Sequence, residues 1–393
     1  MVKVSRDAGG GWRQGITRNV FVLGCVSLLT DISSEMIYPL LPVFLTTVLG
    51  AGPAFLGVIE GVAESTAALL KLASGLWADR VRDRSRLVLG GYTLSSLARP
   101  LIATATQPWQ ALVVRFSDRA GKGIRTSPRD AIIADAVSPS LRGRAFGFQR
   151  SMDHAGAVIG PLTATALLTA HVVGLRGLFW LAGIPGLLAV ALVVVGVREA
   201  AATRATAQGR LRLAPPRGRL RAYLWILLLF TLGNSADAFL LLRAGQLGVP
   251  TPALPLLWMT LHVVKMGSTW PLGALSDRLG RRRVIIAGWM IFAAVYAGLA
   301  VATAAWHVWA LIALYGLFFG LTEGAERALL ADLASAAERG GAFGWYHAVV
   351  GVGALPASLL FGALWQVWGA PAAFGAGAAL AMVSAVLLGV CVR

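Results

Sequence analysis

Acid is scarce in this chain: 18 Asp and Glu stand among 393 residues, against 35 Lys and Arg. All charged residues together reach only 13%, about half the share of a soluble domain, which excludes an ordinary water-facing surface. Cysteine is nearly missing too. Cys25 and Cys391 fall near opposite ends, which excludes a disulfide framework and gives no zinc-ligand spacing. The GKG at 121–123 lacks the surroundings of a phosphate loop, because Phe116 stands where the first glycine belongs and Gly123 where Ser or Thr belongs. No H-E-x-x-H helix motif and no nucleophile elbow occurs. Nothing here points to an enzyme or a cofactor.

What is present is apolar: 57% hydrophobic residues, 46 glycines and a mean hydropathy of +0.70. Such a chain has the lipid bilayer as its solvent. Its apolar stretches are long enough to cross a hydrocarbon core of about 30 Å as helices, and too long and unbroken for barrel strands. Twelve spans are expected, at 18–48, 53–78, 87–106, 109–134, 145–170, 177–197, 222–246, 252–276, 284–304, 308–333, 341–366 and 372–392. The first outruns a signal-peptide core and ends in Asp31, Glu35 and prolines, so it should be retained.

The excess of base would suggest nucleic acid in a soluble protein. Here it sorts by side of the membrane. Lys3, Arg6, Arg13 and Arg18 precede the first span, Arg80, Arg82, Arg84 and Arg86 follow the second, seven arginines occupy 198–221, and Arg278, Arg281, Arg282 and Arg283 follow the eighth. The loops of the other side hold Arg176 alone. This asymmetry places both termini in the cytoplasm of a cell (inner) membrane protein, with no nucleic-acid partner.

An internal repeat organises the spans. GLWADRVRDRSRLVL at 75–89 returns as GALSDRLGRRRVIIA 198 residues later, and DAIIADAVSPSLRGRAFGF at 130–148 returns as RALLADLASAAERGGAFGW after 197. Six spans per half follow: residues 1–197 form an N-terminal bundle, 198–221 a basic cytoplasmic linker and 222–393 a C-terminal bundle. Parallel six-helix repeats place a substrate site between the halves near the midplane.

GALSDRLGRRR resembles the loop motif G-x-x-x-D-R-x-G-R-R of the major facilitator superfamily. The first copy keeps Gly75, Asp79 and Arg80 but has Arg82 in place of glycine. RAGKG at 119–123 resembles the fourth-span motif R-x-x-Q-G with Lys122 for Gln, and GAVIGP at 156–161 resembles the fifth-span antiporter motif G-x-x-x-G-P. The resemblance implies an all-α fold of two pseudo-symmetric bundles, alternating access, proton transfer at Arg119 and, through Gly156, Gly160 and Pro161, antiport.

At roughly 100° per residue, Arg115, Asp118, Arg119, Lys122, Arg125 and Arg129 share one arc of about 120° on the fourth span. Facing lipid, that set costs on the order of 10 kcal/mol, so it must face protein or water. Acids on neighbouring spans offset it: Asp31 and Glu35 on the first, Glu60 and Glu64 on the second. Desolvation favours a protonated carboxylate and a nearby Arg opposes it; Asp31 and Glu35 with Arg119 are therefore the expected proton-coupling group. Glu60, Glu64, Arg115, Asp118, Lys122, Arg125, Asp237 and His262 are expected to line the substrate cavity, with Phe116, Tyr38 and Trp258 as its apolar part. Asp79, Arg80, Asp277, Arg278, Arg129, Asp130, Arg150, Asp153, Glu326 and Arg327 read as gates, since paired charges at helix ends latch one conformation. His262 and Met266, one turn apart, are the candidates for a soft metal.

The leading reading is a proton-coupled exporter of a small organic molecule, working as a monomer. Its rivals are uptake of an organic anion through Arg115, Arg119 and Lys122, export of a transition metal, and a membrane sensor without flux.

Overall fold

The computed structural model describes residues 16–78, 83–138, 141–197, 216–333 and 339–392; Asp79, Arg80 and 198–215 of the expected linker lie outside them. Among the described residues the regular structure is helical throughout. In chain order the helices are α1 (Arg18–Val48), α2 (Pro53–Ala78), α3 (Arg84–Ala98, continued by a 3₁₀ stretch over Arg99–Thr104), α4 (Pro108–Asp135), α5 (Arg142–Thr169) and α6 (Leu175–Gly196). Then come α7 (Gly218–Gln246), α8 (Leu254–Leu279), α9 (Arg281–Val301) and α10 (Ala305–Leu333). The last helical run, Arg339–Cys391, is broken at Gly369, whose φ of +83° separates α11 (339–368) from α12 (370–391).

By length and composition alone, seven stretches among the described residues are apolar enough to cross a membrane. α3, α4, α5 and α8 are not among them: the α-helical part of α3 has 15 residues, and polar and charged residues lower the hydropathy of the other three.

Local sequence sets the helix ends. Thr17 accepts from the Val20 amide, Asp83 accepts from the Ser85 amide at 3.1 Å, and the Gln110 side chain reaches back to the Gln107 amide at 3.0 Å ahead of Pro108. Between α8 and α9, Gly280 has a φ of +90°; a side chain is strained there, so this glycine of the loop motif lets one helix follow another without a linker.

Packing follows the repeat. α1 lies against α5 and α6, and α4 against α2 and α3; six helices later α7 lies against α11, and α10 against α8 and α9. The first six helices meet the last six along two seams, α2 with α11 and α5 with α8. The α2–α11 seam is backbone against backbone: a Cβ on Gly57 would fall 2.3 Å from the Ser358 carbonyl oxygen, and one on Gly362 would fall 2.7 Å from that of Pro53. Small residues permit such approach between helices in lipid.

Two arginines at this end hold helix termini. Arg176 donates to the Ala103 carbonyl at 2.5 Å and stands 5.3 Å over the Phe44 ring. Arg243 donates to the carbonyls of Leu299 and Ala302, at 3.2 and 2.9 Å. Each satisfies carbonyls that a helix end leaves without a partner.

Candidate functional site: a charged cavity between the halves

A cavity of about 720 Å³ opens between the seams, lined from α1, α2, α4, α5, α7, α8, α10 and α11, with Arg99 of α3. It reaches Lys71, Arg129, Asp130, Phe146 and Arg150, toward the end where α4 finishes and α5 begins. At the opposite end the halves touch through the α2–α11 seam and through Thr165, whose hydroxyl donates to the Pro252 carbonyl at 2.9 Å. The space is open at the arginine-rich end and shut at the other.

The α4 wall is a chain of ion pairs. Arg115 grips the fully buried Glu60 of α2 with two hydrogen bonds, at 3.0 and 2.7 Å. Its other terminal nitrogen is 3.6 Å from Asp118. Asp118 accepts from Arg99 of α3 at 2.7 Å, and Arg99 also donates to the Thr30 carbonyl of α1 at 3.0 Å. Two acids and two bases on α2, α3 and α4 thus neutralise one another, and Arg99 ties the group to α1. Farther along, Arg119 pairs with Glu64 at 3.1 Å, and Arg125 donates to the Ser95 hydroxyl at 2.7 Å while lying 4.4 Å over the Tyr92 ring. Lys122 is exposed into the cavity and has no ion pair among the described residues.

The expected grouping of Arg119 with Asp31 and Glu35 is therefore corrected: its ion-pair partner is Glu64. Helix packing is the reason, since α2 lies beside α4 whereas α1 lies beside α5. Asp31 and Glu35 line the cavity with no Lys or Arg paired to them among the described residues. Gly156 and Gly160 of α5 make room for them. A Cβ on Gly156 would come 2.8 Å from the Asp31 Cβ, and one on Gly160 would come 3.1 Å from that of Glu35. Glu35 reaches across the cavity, accepting a 2.6 Å hydrogen bond from the Trp258 indole of α8. Trp258 also packs at 5.1 Å against Tyr38 and edge-on, at 5.0 Å, against His262.

The facing wall comes from α7, α8 and α10. α7 is interrupted between Gly233 and Ala238, and Asn234, Ser235, Ala236 and Asp237 of the gap line the cavity. Asp237 accepts from the Tyr315 hydroxyl at 2.9 Å. Lys265 is 3.6 Å from Glu323 and 4.2 Å over the Phe319 ring.

Among the remaining expected residues, Arg129 and Asp130 pair at 2.8 Å, and Arg150 and Asp153 at 3.6 Å. Glu326 and Arg327 do not pair with each other, which corrects that expectation. Glu326 is buried and accepts from the Trp289 indole and the Tyr346 hydroxyl, both at 3.0 Å, while Arg327 turns to Glu323 at 3.4 Å. Arg327 thus pairs one turn back within α10, while Glu326 is held by donors from α9 and α11. Pro161 continues α5 beyond Gly160. Arg278 stands exposed in the last turn of α8, and the side chain of Asp277 lies outside the described residues. Phe116 is not a cavity residue; it is 46% exposed on another face of α4. Met266 is 49% exposed and off the cavity that His262 lines, so the two do not converge. Arg99, Gln149 and Tyr315 were missed as site residues, although a lone Arg inside an apolar span is itself a signal.

Comparison with known proteins matches the Major Facilitator Superfamily model over residues 23–269 and 259–393. The chain belongs to this superfamily. An uncharacterized MFS-type transporter of Methanocaldococcus jannaschii is 31% identical over 381 residues, covering 95% of this chain and 94% of the relative. The Multidrug resistance protein MdtH of Edwardsiella ictaluri is 24% identical over 324 residues, 81% of this chain and 79% of that one. Among solved superfamily folds, nucleoside transporter NupG superposes with a TM-score of 0.80 at 11% identity, over 96% of this chain and 100% of that one. A bacterial homolog of the human lysosomal transporter Spinster, solved inward-facing and unoccupied, gives 0.72 at 16% identity, over 98% and 96%. This protein is accordingly a multi-pass membrane transporter of the superfamily.

Proposed function

We propose that this transporter exchanges protons for a small organic molecule and exports it by alternating access. Residues 1–197 and 222–393 act as two six-helix bodies of a twelve-span monomer, joined by 198–221, with both termini in the cytoplasm of the inner membrane. In that orientation the open end of the cavity faces inward.

The observation that carries the reading is Glu35: it lines the cavity from α1 and holds Trp258 of α8 at 2.6 Å. A charged acceptor binds an N–H about twice as strongly as a neutral one. Protonating Glu35 therefore weakens a bond between the halves, and deprotonating it restores that bond; Asp31, one turn away, shares the cavity and the proton. The likeness to MdtH supports export of a foreign organic molecule. The anion-uptake reading loses two of its three contacts, since Arg115 and Arg119 are already paired with Glu60 and Glu64.

In proteoliposomes carrying an imposed pH gradient, wild-type flux is expected to follow the gradient and to collapse with a protonophore. The Asp31→Asn, Glu35→Gln double variant should lose the gradient dependence while still equilibrating substrate. Full gradient dependence in that variant would remove the coupling assignment.

A further inference from the structure

Asp237 sits at a break in a membrane helix, beside a wide cavity, with no Lys or Arg in an ion pair with it among the described residues. The first segment of α7 ends at Gly233 and the second begins at Ala238. The break leaves a helix C-terminus of partial negative charge at Gly233 and a helix N-terminus of partial positive charge at Ala238, which Asp237 precedes as its N-cap residue, and the unwound residues between them expose polar backbone that a continuous helix would satisfy. The Asp237 carboxylate adds a full negative charge. One of its oxygens accepts from the neutral Tyr315 hydroxyl, and no Lys or Arg pairs with it among the described residues.

The charged side chains around it are all engaged elsewhere. Lys265 of α8 is 3.6 Å from Glu323, and Glu60 and Glu64 of α2 are bound by Arg115 and Arg119. Aromatic rings complete the wall. Tyr315 packs edge-on at 5.1 Å against Phe319, whose ring already carries the Lys265 ammonium at 4.2 Å. The two helix ends at the break oppose each other, so the attraction for positive charge comes from the carboxylate, whose hydrogen-bonding partner is neutral, and from the aromatic faces around the same space.

We infer that the α7 break, Asp237, Tyr315 and Phe319 form the subsite for a positively charged nitrogen of the substrate, making this an exporter of organic cations. The inference rests on the substrate cavity of the preceding reading. Where the cation enters, Asp237 supplies the counter-charge, the Tyr315 hydroxyl holds that carboxylate in place, and the rings cover the hydrocarbon next to the nitrogen. The breadth of the cavity, about 720 Å³, suits an organic cation. A bare alkali ion calls for a tight cage of oxygens instead.

The test is equilibrium binding to purified full-length protein in detergent, without any gradient, using ethidium, tetraphenylphosphonium and spermidine as cations, fluorescein as an anion, and Na⁺ alone. At least one cation is expected to bind saturably, and Asp237→Asn should weaken it about 10- to 100-fold, the loss of a charged hydrogen-bonding partner. Asp237→Glu should recover most of that affinity. Thermal unfolding of Asp237→Asn in the same detergent separates loss of the site from loss of the fold: a wild-type transition with weakened binding assigns the loss to the site. The inference is overturned if Asp237→Asn binds the cation as tightly as wild type, if none of the three cations binds, or if only fluorescein or only Na⁺ shows Asp237-dependent binding. Asp237-dependent binding without proton-driven flux would sink the transport reading and leave this one standing; proton-driven flux with unchanged cation binding in Asp237→Asn would do the reverse.

Discussion

Replacing Glu60 by Ala is expected to destabilise the purified protein by about 3–5 kcal/mol, the cost of leaving a buried charge without its partner. Glu60 is fully buried, and Arg115 holds it with two hydrogen bonds. Without it, Arg115 is left with the Tyr38 ring at 5.2 Å and, as its carboxylate, Asp118 at 3.6 Å, which is already bound by Arg99. Two guanidinium groups then share one carboxylate where α1, α2, α3 and α4 meet. The double variant Glu60→Gln, Arg115→Gln removes both charges and should recover most of the loss. A double-mutant cycle followed by thermal unfolding measures the coupling. Glu64→Ala is the comparison, because the Glu64 side chain is 44% exposed in its pair with Arg119 and solvated pairs contribute about 0–1 kcal/mol. Equal losses for Glu60→Ala and Glu64→Ala would show that the network does not clamp these helices.

Gly57→Leu should displace the conformational equilibrium rather than the stability of either half. The missing Cβ would stand 2.3 Å from a backbone oxygen of α11, and backbone cannot swing aside as a side chain does. Overpacking of this kind costs about 1–3 kcal/mol, here against the one state that closes the α2–α11 seam, so its population should fall roughly 5- to 150-fold relative to the alternative. A cysteine at Ser235, introduced after removal of Cys25 and Cys391, reports the change through a membrane-impermeant maleimide applied to either face of vesicles. Labelling should move toward the face at which α2 begins. Gly90→Leu is the control, since nothing lies within 4 Å of a Cβ there. Identical labelling of both variants would mean that the seam is not the element that opens.

The membrane class, the repeat and the inward-turned charge of α4 were legible in the sequence, because hydropathy and a 100° step are local properties. The pairing of those charges was not. Asp31 and Glu35 on α1 are spaced like Glu60 and Glu64 on α2, so periodicity gives each helix the same acidic face and cannot say which helix lies beside α4. Phe116 shows how narrow the error is, since one residue beyond Arg115 is a rotation of about 100° and leads out of the cavity. The α7 interruption had a cue, Gly-Asn-Ser at 233–235, three residues that favour turns over helix; inside a strongly apolar stretch, span length outweighed it. Glu326 was misread for the opposite reason. Its neighbour in sequence is an arginine, but its partners, Trp289 and Tyr346, come from 37 residues before and 20 after.

The end-capping by Arg176 bears on how topology is to be mapped in this chain. As the sole base in the loops of its side it would be the natural place to neutralise a charge when asking what orients the protein during insertion. Its guanidinium is tied to the end of α3 and to Phe44, so a neutral replacement would loosen the docking of α6 on α3 and report on assembly. The orienting signal has to be sought instead in the arginine clusters at the other end, taking account of the members that also hold helices: Arg84 pairs with Asp135 at 2.6 Å, and Arg282 donates to the Val392 carbonyl at 3.0 Å.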